Sequence, residues 1–171
     1  KTKRKNKKKS KKKVLLHAGG SSVYSLIKPF SEGVFKAVFN YKLDIGVLCS
    51  TLESKQYIKK ISKKFNIKNQ LTFLKYSNNF TDIISKYDII AGPAGTTTFE
   101  TISAGNLPFS IPLKNDGRDS MISWNNLGHL MHLSNKEKKN KKILDSSWKL
   151  IIEKYTKLLE LLKNNSKVVD G

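Results

Sequence analysis

The sequence predicts an α/β domain built on a doubly wound, Rossmann-like parallel sheet and closed by a long C-terminal helix. Three observations carry this expectation. Short apolar runs alternate with amphipathic stretches five times along the 171 residues. The runs are continuous rather than alternating in and out, as expected of strands covered on both faces. Two of them end in glycine-rich turns, "HAGGSS" at 17–22 and "AGPAGTTTFE" at 91–100. Such turns mark the carboxyl edge of a parallel sheet, where ligands bind.

The elements follow in order. "VLLHAGGSS" (14–22) reads as a buried strand leading into a helix through a tight turn. In that helix Val34, Phe35, Val38 and Phe39 recur at helical spacing, and Pro29 stands near its start. "LDIGVLCS" (43–50) is a second strand, and "ESKQYIKKISKKFN" (53–66) an amphipathic helix with Tyr57, Ile58, Ile61 and Phe65 on one stripe. "QLTFLKY" (70–76) is a third strand, and "NNFTDIISKY" (78–87) a short helix with Phe80, Ile83 and Ile84 inward. "DIIAG" (88–92) is the fourth strand, and Thr97 to Ala104 form a helix closed by Gly105. "LPFSIPL" (107–113) is the fifth strand. A polar loop (114–119), a helix from Ser120 to Leu130 and a charged loop (134–142) come next. The last helix runs from about Asp145 to Lys163, with Trp148, Ile151, Tyr155, Leu158 and Leu162 at spacings of three and four. No internal repeat is present.

Composition sets the class. Residues 14–171 form one domain, preceded by a lysine-rich segment, 1–13, that repels itself and is expected to be disordered. The net charge is +20, and half of it resides in "KTKRKNKKKSKKK". That segment suits either a nucleic-acid or anionic-membrane arm or a plain solvated linker. No apolar run approaches the roughly 18 residues that span a bilayer, and no signal-peptide pattern is present. Cys49 is the only cysteine, so no internal disulfide forms, which favours a reducing, cytoplasmic setting. It reads as a small core residue at a strand end.

The two turns carry the chemistry. Gly92, Pro93, Gly95 and three threonines in succession look built to let something approach the backbone. Glycine lets amides close on a phosphate, and a following helix N-terminus adds partial positive charge. "GGSS" (19–22) and "GTTT" (95–98) both fit. Glu100, one turn into the next helix, is either a capping-box acid or a carboxylate that accepts hydrogen bonds from ribose hydroxyls. Neither a P-loop nor a G-x-G-x-x-G follows the first strand, which argues against standard P-loop or NAD sites. No metal-ligand cluster appears. His129 and His132 read as surface or packing residues on a helix. His17, at the end of the first strand, faces the ligand edge.

The stretch "KYDIIAGPAGTTTFETISAGNLPFSIPL" (86–113) resembles the nucleotide-binding signature of the C-terminal domains of GT-B glycosyltransferases. It is most similar to the lipid-intermediate N-acetylglucosaminyltransferase of peptidoglycan synthesis and to the nucleotide-sugar hydrolases of pseudaminic-acid and spore-coat pathways. The shared features are Asp88 to Ile90, Gly95 to Thr98, Glu100, and Gly105 to Pro108. "VLLHAGGSS" resembles the first strand and diphosphate-facing turn of the same domain, and "SWNNLGHLMHL" (123–133) the helix after its fifth strand. The spacing from Gly95 to Glu100 is that of the hydrolase-like branch. The glutamine that the family places near 116–126 is missing, and Asp119 and Asn125 are the nearest polar residues.

This resemblance implies a donor-binding domain for a nucleotide sugar, with a UDP-sugar favoured and neither metal nor cofactor. Gly19, Gly20, Ser21, Gly95, Thr96 and Thr97 would hold the diphosphate and Glu100 the ribose. His17, Asp119 and Asn125 would contact the sugar. The acceptor-binding half, which supplies the catalytic base in this family, would come in cis or from a partner chain, since the chain begins without Met and carries one domain. Transfer and hydrolysis both remain open at this point. A basic surface suits a peripheral place at a membrane. The contrasting reading is a non-catalytic basic module for RNA or anionic lipid, although no aromatic stacking platform stands out.

Overall fold

The computed structural model describes residues 11–20, 23–77, 79–112 and 131–165. Six strands form one parallel sheet: β1 (Lys13–Leu16), β2 (Asp44–Leu48), β3 (Leu71–Leu74), β4 (Ile89–Pro93), β5 (Leu107–Ile111) and β6 (Met131–His132). Their spatial order is β3-β2-β1-β4-β5-β6. The chain therefore winds outward from β1 in one direction, then returns to β4 beside β1 and winds in the other. Helices α1 (Lys28–Tyr41), α2 (Leu52–Lys64), α3 (Phe80–Ile84), α4 (Thr96–Ser103) and α5 (Lys141–Asn165) connect or cover the strands. The five expected strands are all present, and the fold is the α/β, Rossmann-like one with a long C-terminal helix.

Alternate residues of each central strand serve opposite faces. Val14, Leu16, Ile45, Val47, Ile89 and Ala91 join the larger core with α1, α2 and α5. There Phe109 meets Phe30 and Trp148 edge-on, at centroid distances of 5.1 and 5.2 Å. Leu15, Leu48, Ile84 and Ile90 form the smaller core, closed by Phe80, Ile83, Tyr87 and Ala104. Cys49 is buried just after β2, and burial raises its thiol to about 11, as suits a packing residue. Gly105, at φ 74°, ends α4 in a Schellman turn: its N–H donates to Ile102 O (2.9 Å) and that of Asn106 to Thr101 O (3.0 Å).

Three local features differ from the expectations. His132 lies on strand β6, not on a helix, and a two-residue strand leaves no periodic signal. The segment after it is structured: Ser134 Oγ accepts from Glu137 N–H and Glu137 Oε2 from Ser134 N–H, at 3.3 and 2.8 Å. Those bonds lower the Glu137 pKa. Asn140 Oδ1 then accepts from the amides of Lys142 and Ile143, so α5 begins at Lys141, ahead of its apolar stripe. Phe39, expected in the core, is 50% exposed on the last turn of α1. The helix expected at 120–130, His129 and residues 1–10 of the lysine-rich segment lie outside the described residues.

Asp88 fastens the amino edge. Its Oδ2 accepts from Lys13 N–H at 2.7 Å, and the Tyr155 hydroxyl of α5 lies 3.3 Å from its carbonyl and 3.4 Å from Oδ1. Burial, then the Asp88 charge, push the Tyr155 pKa well up, so the phenol stays a donor. Lys12 Nζ sits 3.3 Å from the Tyr155 ring centroid. Asp88→Ala should lower stability by about 1–2 kcal/mol, with Asp88→Asn milder because an acceptor is kept. Urea unfolding curves of the two variants check this.

Candidate functional site

Because β1 and β4 are neighbours, the turns that leave them lie side by side where the strand order reverses. Leu16 pairs with Ala91, and His17 N–H extends the ladder to Ala91 O at 3.0 Å. A Cβ on Gly19 would stand 3.8 Å from Pro93 Cγ, so the turns touch.

The glycines of this edge have different physical reasons. A Cβ on Gly92 would fall 2.4 Å from His17 Nε2 and 2.6 Å from His17 O. Backbone cannot yield that much, so Gly92 is required for β1 and β4 to close. The sequence suggested that Gly92 opens the backbone to an outside group; in the fold it admits His17. Gly19 adopts φ 73°, the left-handed conformation that suits glycine. At Gly20 and Gly95, however, a Cβ would meet nothing within 4 Å, and Gly95 is extended at φ 168°. The fold itself demands glycine at neither position. These two bare backbone sites face open space at the ligand edge.

His17 supports the first turn from beneath. It is only 4% exposed, and its Nδ1 accepts from Gly19 N–H at 3.3 Å. Burial holds its pKa near 4, so the ring is neutral at pH 7. An accepting Nδ1 then requires the proton on Nε2. His17, Gly92, Thr97, Thr98, Thr101 and Ser110 enclose a gap too small for a water molecule. Any ligand at this edge must therefore lie above the turns.

Two tyrosines that sequence reasoning passed over fix the same edge. Tyr24 Oη is buried 2.6 Å from Leu48 O and 3.1 Å from Leu16 O, so one hydroxyl ties the ends of β1 and β2. Tyr76, just beyond β3, donates to Gly19 O at 2.8 Å and stacks on Phe80. The available signal was a tyrosine in each otherwise polar connection at the carboxyl edge.

On the second turn, Gly95 is the N-cap of α4. Its carbonyl accepts from Thr98 N–H (3.0 Å), and its own N–H donates to Thr98 Oγ1 (3.3 Å). Thr98 thus takes the capping-box place, and Glu100, the fifth helical residue, does not cap. Thr96 and Glu100 are four apart and both exposed, so they share one face of α4. Thr97 is half-buried towards His17. The amides of Thr96 and Thr97 open the helix and have no intrahelical acceptor. Ser21, Asp119 and Asn125 lie outside the described residues. His132 lies on β6, its Nδ1 2.9 Å from Ser110 Oγ, and burial lowers its pKa.

The geometry so assembled is a pair of adjacent turns at a topological switch point. No family model and no curated protein matches the chain. Solved structures do. A glycosyltransferase from Rickettsia africae superposes with a TM-score of 0.72 at 13% identity, over 94% of this chain and 43% of that one. The UDP-GlcNAc 2-epimerase of Neisseria meningitidis, bound to UDP-GlcNAc, gives 0.66 at 14%, over 94% and 43%. Anabaena HepE in complex with UDP-glucose gives 0.67 at 11%, over 94% and 44%. The chain has the fold of one GT-B domain. It spans about two fifths of the length of these neighbours. A hollow of about 260 Å³ between α1 and α5, beside Trp148, lies apart from the turns.

Two outcomes test this construction. Gly92→Ala should destabilise the fold by about 1–3 kcal/mol by forcing β1 from β4, read as a lower thermal midpoint. The folded state disfavours protonated His17, so its stabilising neutrality is fully present above pH 6.5 and is lost as pH falls towards 4. The loss approaches roughly 3 kcal/mol. The stability difference between pH 7 and acid should shrink in His17→Gln, measured by urea titration at each pH.

Proposed function

We propose that this chain is the donor-binding domain of a nucleotide-sugar-dependent glycosyltransferase, with a UDP-sugar as donor. The observation that carries this is the pair of bare glycines, Gly20 and Gly95, on adjacent turns of a sheet whose packing needs glycine at neither. A diphosphate seated there receives amide hydrogen bonds from both turns and from the start of α4. Negative charge develops on that diphosphate as the glycosidic bond breaks. The α4 N-terminus, equivalent to roughly half a positive charge, stabilises it without side-chain cations.

Glu100 extends the site along the same helix face. It stands about 6 Å beyond Thr96 along the axis, in the direction a ribose takes from its diphosphate. Its carboxylate can accept from both vicinal hydroxyls. His17 keeps the first turn in shape from below. The residues that activate an acceptor belong to a second domain, in cis or on a partner chain. The fold neighbours that hold UDP-GlcNAc and UDP-glucose support this reading of the ligand class. Hydrolysis of the same donor uses the same diphosphate and ribose contacts, and the Gly95-to-Glu100 spacing leaves it as the second reading.

Calorimetric titration with UDP tests the assignment. Gly20→Val and Gly95→Val should keep the fold yet weaken UDP at least tenfold, because each Cβ stands where phosphate would lie. Glu100→Ala should weaken UDP by about tenfold, and only where the ribose hydroxyls are present. Wild type should therefore discriminate UDP from its 2′,3′-dideoxy form, and Glu100→Ala should not. Equal UDP affinity in wild type and all three variants would remove the proposal.

A further inference from the structure

Parallel strands give the two edges of the sheet separate sets of connections, and the lysines are unevenly shared between them. Each of the first four strands is approached by a lysine, at its first residue or within three residues before it: Lys13, Lys42, Lys68 and Lys86. The segments that leave the same strands, 17–23, 49–51, 75–79 and 94–95, hold one, Lys75. Helix α2 runs back to the amino edge and ends on Lys63 and Lys64. Helix α5 reaches that edge at Tyr155 and carries exposed Lys154 and Lys157 beside it.

Two acids of this edge are already engaged. Asp44 pairs with Lys11 at 2.5 Å, and Asp88 holds Lys13 N–H and Tyr155. Among the described residues, Lys42, Lys63, Lys68 and Lys86 have no carboxylate partner. Helix C-termini attract lysine through their dipoles, which accounts for Lys42, Lys63 and Lys64 but not for Lys13 and Lys68. Phe39, half exposed on the last turn of α1, lies at the same edge.

We infer that the amino edge is a second functional surface, which docks this domain on an anionic phospholipid membrane with the glycine turns on the side away from it. The cations point to lipid rather than nucleic acid. Among the described residues the cations of this edge are all lysines, which lack the guanidinium fork that suits phosphate or guanine. Broadly spaced lysines with an exposed aromatic among them suit a headgroup layer, where the charge attracts and the ring inserts.

Vesicle flotation with the full chain tests this, using phosphatidylcholine alone or mixed with phosphatidylserine. Binding should require phosphatidylserine and weaken with salt. A variant with Lys42→Gln, Lys63→Gln, Lys68→Gln and Lys86→Gln should bind about fivefold more weakly for each lysine removed. The same loss should appear when the lysines and arginine of residues 1–9 are replaced by glutamine in both chains, which separates the edge from the tail. Phe39→Ser should weaken vesicle binding further, and circular dichroism should show both edge variants folded. UDP affinity should be unchanged in them, so vesicle binding without any UDP binding would defeat the nucleotide reading and spare this one. Equal binding to neutral and anionic vesicles would overturn the inference. So would wild-type vesicle binding by the edge variant in the neutralised-tail background, or tighter capture of single-stranded RNA than of anionic vesicles at the same salt.

Discussion

The contact between β1 and β4 is the constraint on which the rest depends. Two turns that belong to different halves of the chain must meet, and they meet through the missing side chain of Gly92. His17 fills the space so released, its backbone oxygen 2.6 Å and its Nε2 2.4 Å from where a Cβ would be. This approach sets the ladder from Leu16 to Ala91, brings Gly19 against Pro93 and aligns the start of α4 with the first turn. The pairing of the two turns is thus a by-product of strand packing at the place where the winding reverses. A looser junction would leave each turn intact and the pair useless.

Chain direction then decides the chemistry of the two edges. With every strand parallel, connecting helices present their N-termini at the carboxyl edge and their C-termini at the amino edge. The first edge gathers unsatisfied amides and partial positive charge, and the segments leaving the first four strands add a single lysine there. Bare backbone is selective in that position, because it offers short, fixed donors rather than a diffuse cationic field. The second edge gathers carbonyl ends, which tolerate lysine, and here lysines accumulate beyond what helix ends ask for. One sheet therefore sets bare backbone at one edge and lysines at the other, a full strand length apart.

The sequence made the strands legible because each is a continuous apolar run, and alternate residues of β1, β2 and β4 then serve two cores. Helix ends were legible where chemistry marks them, as at Pro29 and Gly105. What could not be read is what depends on distant partners. Met131–His132 becomes a strand only because β5 offers its edge. Phe39 obeys helical spacing yet projects outward, since α1 buries Val34, Phe35 and Val38 on a narrower stripe. Glu100 resembles a capping acid by composition, but the helix starts at Thr96 and gives that place to Thr98. Gly92 and Gly95 look alike in the sequence, and only the neighbour across the sheet distinguishes the structural glycine from the bare one.

His17 shows how the interior of the junction serves its surface. A protonated imidazole would lose the Nδ1 lone pair that accepts from Gly19 N–H, and it would place a charge in a gap with no room for water. Burial removes that state by holding the pKa near 4. Gly19 is held from the other side by Tyr76 Oη on its carbonyl, so both polar groups of this left-handed residue are engaged. Gly20, the next residue along the turn, therefore follows a residue that cannot easily rotate. Under the proposed function, preorganisation of this kind would favour a diphosphate, because donors already fixed in direction need no rearrangement when charge develops on it.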